Sequence, residues 1–320
     1  MNRLLILLAF ASLALLAACS QGSEPGAAQQ ATLDAAVATL AAEAQQTAQF
    51  SPTPAPLPTA TPTAGPSPTA TPDTRPDPQR WSSWPVIPTV SARALEIYRA
   101  GLRNGNDPRL FSVIGDCQSE LNVFMGIYAT DRYYFTESDN FLQQTVDFYQ
   151  PSFTHASAAV RDGLSAPSAL SPLWADKTLC QPEENPVQCE LRLSKPSIIF
   201  INMGTNWRPD AAASAYEAYL RQIVDLVIAN GTLPILSTKA DNIEGDYGLN
   251  LATARVAHDY DIPLWNFWLA AQALENGGLD PDREDVYLTP LAWDVRTYTA
   301  LQSLDAITRS LHNQVDPFAP

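Results

Sequence analysis

The chain has 320 residues and a net charge of -15 at pH 7, with 34 Asp plus Glu against 19 Lys plus Arg, and its lysines are only Lys177, Lys195 and Lys239. So acidic a surface repels phosphate backbones and anionic headgroups. That excludes nucleic acid as a natural partner and leaves any membrane link to something other than charge.

Arg3, the apolar stretch Leu4 to Leu16 and the small residues ahead of Cys19 read as an export signal, too short to span a bilayer. The ending Leu16-Ala17-Ala18-Cys19 resembles a bacterial lipobox, in which cleavage before the cysteine leaves its thiol to carry lipid. That resemblance implies a signal over residues 1–19 and a chain held outside the cytoplasm on a membrane of the bacterial cell envelope, with membrane lipid as its partner through Cys19. The alternative is an ordinary secretory signal with a cysteine there by chance. Residues 20–80 are Ala, Gln, Pro, Thr and Ser with hardly an aromatic residue, so they bury too little apolar surface to offset their ordering entropy. The Pro/Thr-rich part, Ser51 to Pro78, is expected to run as an extended spacer.

Residues 81–320 have the composition of one large globular domain. Strands are expected at Leu110 to Gly115, Ile198 to Asn202, Leu233 to Ser237 and Pro263 to Trp265; helices are expected at Ala211 to Ala229, Leu249 to His258 and Val295 to Leu311. Short apolar runs alternating with long amphipathic helices predict an α/β fold, a three-layer, doubly wound, mainly parallel sheet of the flavodoxin-like kind. Working residues in such sheets sit past the carboxyl ends of strands. Asp116-Cys117 and Met203-Gly204-Thr205-Asn206 occupy two of those ends.

In an exported chain the cysteines are counted against a disulfide-permissive background. Cys180 and Cys189 bracket a polar loop holding Pro182 and Pro186, and a bridge there would staple a segment with little apolar content. Cys117 is left odd, either a buried inert thiol or a reactive one.

Gly115-Asp116-Cys117, then Gly204-Thr205-Asn206-Trp207, then Pro263 to Trp268 leading through Gly278-Leu279-Asp280 to Tyr287-Leu288-Thr289-Pro290, resemble in order and spacing the SGNH (GDSL-type) esterase and acylhydrolase family. The likeness covers essentially the whole globular part. It implies an SGNH-hydrolase type of sheet, a nucleophile at the third position of the first block and an oxyanion site built from Asn206 and the backbone N–H after Gly115-Asp116, with Gly204 as the glycine of the third block. Here that nucleophile position holds Cys117 in place of serine, and the final Asp-x-x-His block reads Glu284-Asp285-Val286-Tyr287, with Glu284 for the aspartate and Tyr287 for the histidine. The second block falls on Phe153 to Ser157 without its glycine.

A hydroxyl or thiol needs a base to take its proton, and tyrosine, with a pKa of about 10, is a poor one at neutral pH. Cysteine relaxes the need in part, since its pKa of about 8.5 leaves a few per cent thiolate. Of His155, His258 and His312, the last two fall on expected helices, and His155 is the candidate for a displaced base. Asp241, Glu244 and Asp246 read as a solvated strand-to-helix loop whose spacing matches no EF-hand, so no metal site and no cofactor is expected. Trp207, Trp265, Trp268 and Trp293 read as core or as a sugar-stacking platform.

Three functions follow. The first is a surface-anchored lipoprotein of carbohydrate- or lipid-ester hydrolase ancestry with an incomplete catalytic set, weak or non-catalytic, binding an acylated glycan in the old cleft. The second is a working ester hydrolase or acyltransferase using Cys117, Asn206 and His155. The third is a structural or adhesive envelope module.

Overall fold

The computed structural model describes residues 73–283 and 286–312; Cys19, most of the linker and Glu284 lie outside these. Its sheet has four parallel strands in spatial order β1 (Asp107–Gly115), β2 (Pro196–Asn202), β3 (Leu233–Ser237) and β4 (Leu264–Trp265). Every residue of β2 and β3 is buried. A strand covered on both faces has no solvent side, which is why both appear in the sequence as unbroken apolar runs.

Against the outer edge of β1 lies a single parallel bridge, Gly115 to Val160. With that bridge counted as the second position, the sheet follows the flavodoxin-like 2-1-3-4-5 order, its second strand shrunk to one residue pair.

Helices cover both faces. On one lie α3 (Pro186–Ser194), α4 (Ala213–Ala229) and α5 (Gly248–Tyr260), with the Ser112 hydroxyl of β1 donating to Glu190 of α3. On the other lie α1 (Ala92–Arg103), α2 (Leu142–Phe148) and α6 (Pro290–Leu311), joined by Thr145 Oγ1 donating to Asp305 at 2.6 Å and by Tyr98 against His312. On that face Phe111, Phe124, Phe200 and Trp265 meet edge-on or stacked at ring distances of 5.9–6.0 Å. Each such pair contributes about 0.5–1.5 kcal/mol beyond its buried area.

Helix starts follow local chemistry. Ser91 caps α1 by accepting from Ala94 N, Asn185 and Gln188 form a capping box at α3, and Thr289 caps α6 ahead of Pro290. The domain also takes in the end of the expected linker. Asp77 caps a 3-10 helix at Pro78–Ser83, and Asn266 Nδ2 donates to Trp81 O at 3.0 Å. Cys180 and Cys189 are bridged, with Cys189 inside α3, so the staple ties a loop to a helix rather than closing a polar insertion.

Candidate functional site

At the exit of β1 the backbone is pressed so tightly that a Cβ on Gly115 would lie 2.3 Å from Ser119 Oγ. Asp116 follows, buried, its Oδ1 accepting from Gln118 N at 2.9 Å, so that it caps the 3-10 turn Cys117–Ser119. Cys117, the cysteine outside the disulfide among the described residues, is half-buried at the start of that turn.

The exit of β2 supplies buried Asn202 and Gly204 and exposed Asn206. Gly204 has a φ of 121°, and a Cβ there would come within 3.2 Å of the Lys239 side chain. Asn202 Nδ2 donates to Ser119 Oγ at 3.3 Å, while its buried Oδ1 has no hydrogen-bond partner among the described residues. Asn206 Nδ2 donates to Leu164 O at 3.4 Å. Leu164 follows Gly163, which has a φ of 72° and comes just after the Val160 bridge. The stretch that runs beside β1 at the rim is therefore 157–161, and the glycine after it is Gly163. Phe153 to Ser157, taken from the sequence as that block, instead spans the end of a 3-10 helix and the turn out of it.

From β3 comes Lys239, whose ammonium is bonded to the Asp241 carboxylate and to Glu244 Oε2 at 2.6 Å. Asp241 is 2 % exposed. The expectation of a solvated acidic loop is thus overturned for Asp241 and Glu244, because the buried ammonium draws both carboxylates inward; Asp246 alone stays exposed. Burial pushes the Asp241 carboxyl above the ordinary range even against the pull of Lys239.

Helix α6 contributes a residue that sequence reasoning missed. Arg296 is 4 % exposed, donates to Gln118 O and lies over the Phe124 ring at 4.5 Å. Its guanidinium interacts electrostatically with both Asp116 and Cys117. Burial pushes Arg296 down to about 10, against those two neighbours, and pushes Asp116 up to about 6, against the Gln118 N–H and Arg296. Arg296 therefore stays cationic at neutral pH and cannot take a proton from the thiol. Asp116, Gln118, Asn202, Lys239 and Arg296 line a pocket of about 20 Å³ at this rim. That is room for roughly one water.

The histidines stand elsewhere. His155 Nε2 pairs at 2.8 Å with Glu190 Oε1, the oxygen that also accepts from Ser112 Oγ at 2.5 Å. Ser112 lies three residues before the end of β1, so this cluster sits about 10 Å below the strand's exit. The Glu190 bond holds His155 above its ordinary value against burial. For Glu190, burial alone would raise the carboxyl, but the His155 and Ser112 hydrogen bonds and the His155 charge bring it below the ordinary range. His258 lies beside Asp259 in the last turn of α5, which leads into the amino end of β4, at the opposite end of the sheet. His312 Nδ1 donates to Thr308 O at 2.8 Å, about 24 Å along α6 from Arg296.

Tyr287 lies under the Arg283 guanidinium, 3.5 Å from its ring centre. No tryptophan platform forms. Trp265 is fully buried and Trp207 nearly so, and Trp268 packs on Trp81 and Tyr247. Trp293 is partly buried beside Arg296.

No protein-family model and no curated protein matches the chain. Among solved structures it is similar to a GDSL-like lipase from Bacteroides thetaiotaomicron, with 14% identity and a TM-score of 0.40 over 66% of this chain and 98% of that one. It is similar also to a psychrotrophic esterase from Pseudoalteromonas sp., with 15% identity and a TM-score of 0.40 over 62% of this chain and 97% of that one. A third is an acetylxylan esterase from Geobacillus stearothermophilus, a catalytic mutant, with 14% identity and a TM-score of 0.39 over 61% and 93%. These three solved structures are a GDSL-like lipase and two esterases.

Proposed function

We propose that the chain is a lipid-anchored protein of the bacterial cell envelope whose SGNH-type domain has lost effective ester hydrolysis and keeps its rim for binding an acylated glycan. The observation that carries this reading is the cation at the rim. The charged group facing Asp116 and Cys117 from α6 is the Arg296 guanidinium, and it can steady an anion but cannot act as a base. His155, offered by the sequence as a displaced base, spends its Nε2 on Glu190. Removing a general base typically costs about 10²- to 10⁴-fold in rate. Support for binding comes from what stays accessible, since Cys117 and Thr205 are half-buried and Asn206 is exposed at the same rim. The anchor through Cys19 rests on the lipobox-like ending alone.

Turnover of p-nitrophenyl acetate and acetyl-xylan by the intact chain and by Cys117→Ala tests this. Rates near the uncatalysed background, the same in both proteins, are expected. Ordinary esterase turnover that disappears in Cys117→Ala would overturn the reading and make the chain a cysteine-dependent esterase.

A further inference from the structure

The outer edge of β1 is where the shrunken second strand leaves room. In a parallel ladder each residue turns its N–H and C=O to one side, and successive residues alternate sides. Residues 111, 113 and 115 turn theirs away from β2. Phe111 N donates to Ser152 Oγ at 2.9 Å; Gly115 N donates to Ala159 O at 3.0 Å and its carbonyl accepts from Arg161 N at 3.2 Å. The Val113 carbonyl accepts from Ser157 Oγ at 2.7 Å, and the same hydroxyl accepts from Ala159 N at 3.1 Å. A side-chain hydroxyl thus stands where a backbone group would continue the ladder, and below it the neighbouring chain leaves the edge. Two groups of the row remain between these caps, Phe111 C=O and Val113 N–H, and neither has a hydrogen-bond partner among the described residues.

They open on a cavity of about 380 Å³, a size typical of small-ligand sites. Its walls include Phe111, Ser112 and Val113 in succession. Three consecutive strand residues can line one space only if the backbone edge itself faces it, because their side chains alternate. Leu121, Phe124 and Met125 add apolar wall, and His155 adds a polar one. Backbone groups left unmade in such a place are costly unless something pairs with them.

We propose that this cavity binds an extended peptide segment, one residue of which joins the edge of β1 in the parallel sense, opposite Ser112. In that geometry one ligand residue donates its N–H to Phe111 C=O and accepts at its own C=O from Val113 N–H. The two ligand groups flank a single α-carbon, as in a peptide. The amide of an N-acetylated sugar does not fit, because its N–H and C=O belong to one planar bond and point in opposite directions. Side chains alternate across the edge, so the central residue's side chain falls on the Ser112 face near His155, and its neighbours' fall on the Phe111 and Val113 face. The segment expected is apolar, small polar, apolar. This site is separate from the rim and does not depend on the reading given for it.

Calorimetric titration of the full chain with acetyl-Leu-Ser-Leu-amide tests the proposal, with a second peptide methylated on the serine nitrogen and with N-acetylglucosamine as a competitor. Saturable binding is expected, weakened about tenfold or more by the single N-methyl group and untouched by the sugar. Ala156→Trp, which sets an indole at the mouth, is expected to abolish it with far-UV circular dichroism unchanged. No binding of the parent peptide, equal binding of its N-methylated form, or displacement by the sugar would each overturn the proposal. Should Ala156→Trp fail to fold, the matched peptide pair on the unaltered chain decides alone. Ester turnover is unaffected by any of these outcomes.

Discussion

Two of the strand ends that meet at the rim pocket handle buried charge differently. After β3, Lys239 is bonded directly to two carboxylates, those of Asp241 and Glu244. After β1, Asp116 is held by the Gln118 N–H, while Arg296 turns its guanidinium to the Gln118 carbonyl and to aromatic faces. Each ion at the second end is buried and satisfied mainly by neutral partners, so both are drawn toward neutrality, Asp116 up to about 6 and Arg296 down to about 10. The β3 end has the character of a structural clamp. Burial raises a carboxyl at both ends, Asp241 beside its bonded Lys239 and Asp116 beside the neutral Gln118 N–H.

The difference predicts opposite responses to removal of a charge. Lys239→Met strands two buried carboxylates, and breaking a buried pair from one side costs about 3–5 kcal/mol. Urea unfolding should show a lower midpoint with an unchanged slope. Asp116→Asn should do the reverse. A carboxyl raised from 3.8 to about 6 on folding penalises the folded state wherever it is ionised, so the penalty is absent below the unfolded value, grows as pH rises through the folded one, and is complete above it. The asparagine variant can still cap the turn, and it should be more stable than the parent by up to about 3 kcal/mol at pH 7.5 and indistinguishable from it near the acid end. Loss of stability in both variants at pH 7.5 would erase the distinction between the two ends.

Much of the scaffold was legible because burial on both faces leaves a simple trace. Ile198 to Ile201 and Leu233 to Leu236 are unbroken apolar runs, and both are strands. The second sheet position was not legible, since it amounts to Val160 opposite Gly115 with a serine hydroxyl continuing the row. Its trace, Ala158-Ala159-Val160 running into Arg161-Asp162-Gly163, is the same apolar-to-Gly/Asp pattern that marked the exit of β1. Lys239 was passed over although a lysine directly after a buried strand, with carboxylates two and five residues on, is what a buried clamp requires. Arg296 was missed because it sits in a helix interior. The signal was an arginine on a stripe otherwise made of Ala292, Ala300, Leu304 and Ile307, where a long cation is out of place unless it reaches a polar site. Motif order placed Cys117, Gly204 and Asn206 just past the ends of β1 and β2, but it could not show that Arg296 comes near them, because that residue belongs to a different element.

Glu190 is a further buried carboxylate and the finest test of the comparison, since its partner His155 has a side chain 34% exposed. His155 is held above its ordinary 6.5, first by the Glu190 hydrogen bond, and Glu190 is held below its ordinary 4.5. The raised histidine stabilises fully below 6.5 and loses that contribution as pH rises through its folded value. The lowered glutamate stabilises above 4.5 and loses its contribution as pH falls through its folded value. The ionic part of the pair is therefore complete only between about pH 4.5 and 6.5. His155→Gln keeps a donor to Glu190 and removes the charge. It should cost less than about 1 kcal/mol, because solvent screens a partner this exposed, and the cost should appear inside that window and fade above it. Unfolding midpoints of the two proteins measured from pH 4.5 to 8.5 check this. A difference that stays constant with pH would mean that Glu190 uses His155 only as a hydrogen-bond donor, which would place this cluster with the neutral partners of Asp116 rather than with the Lys239 clamp.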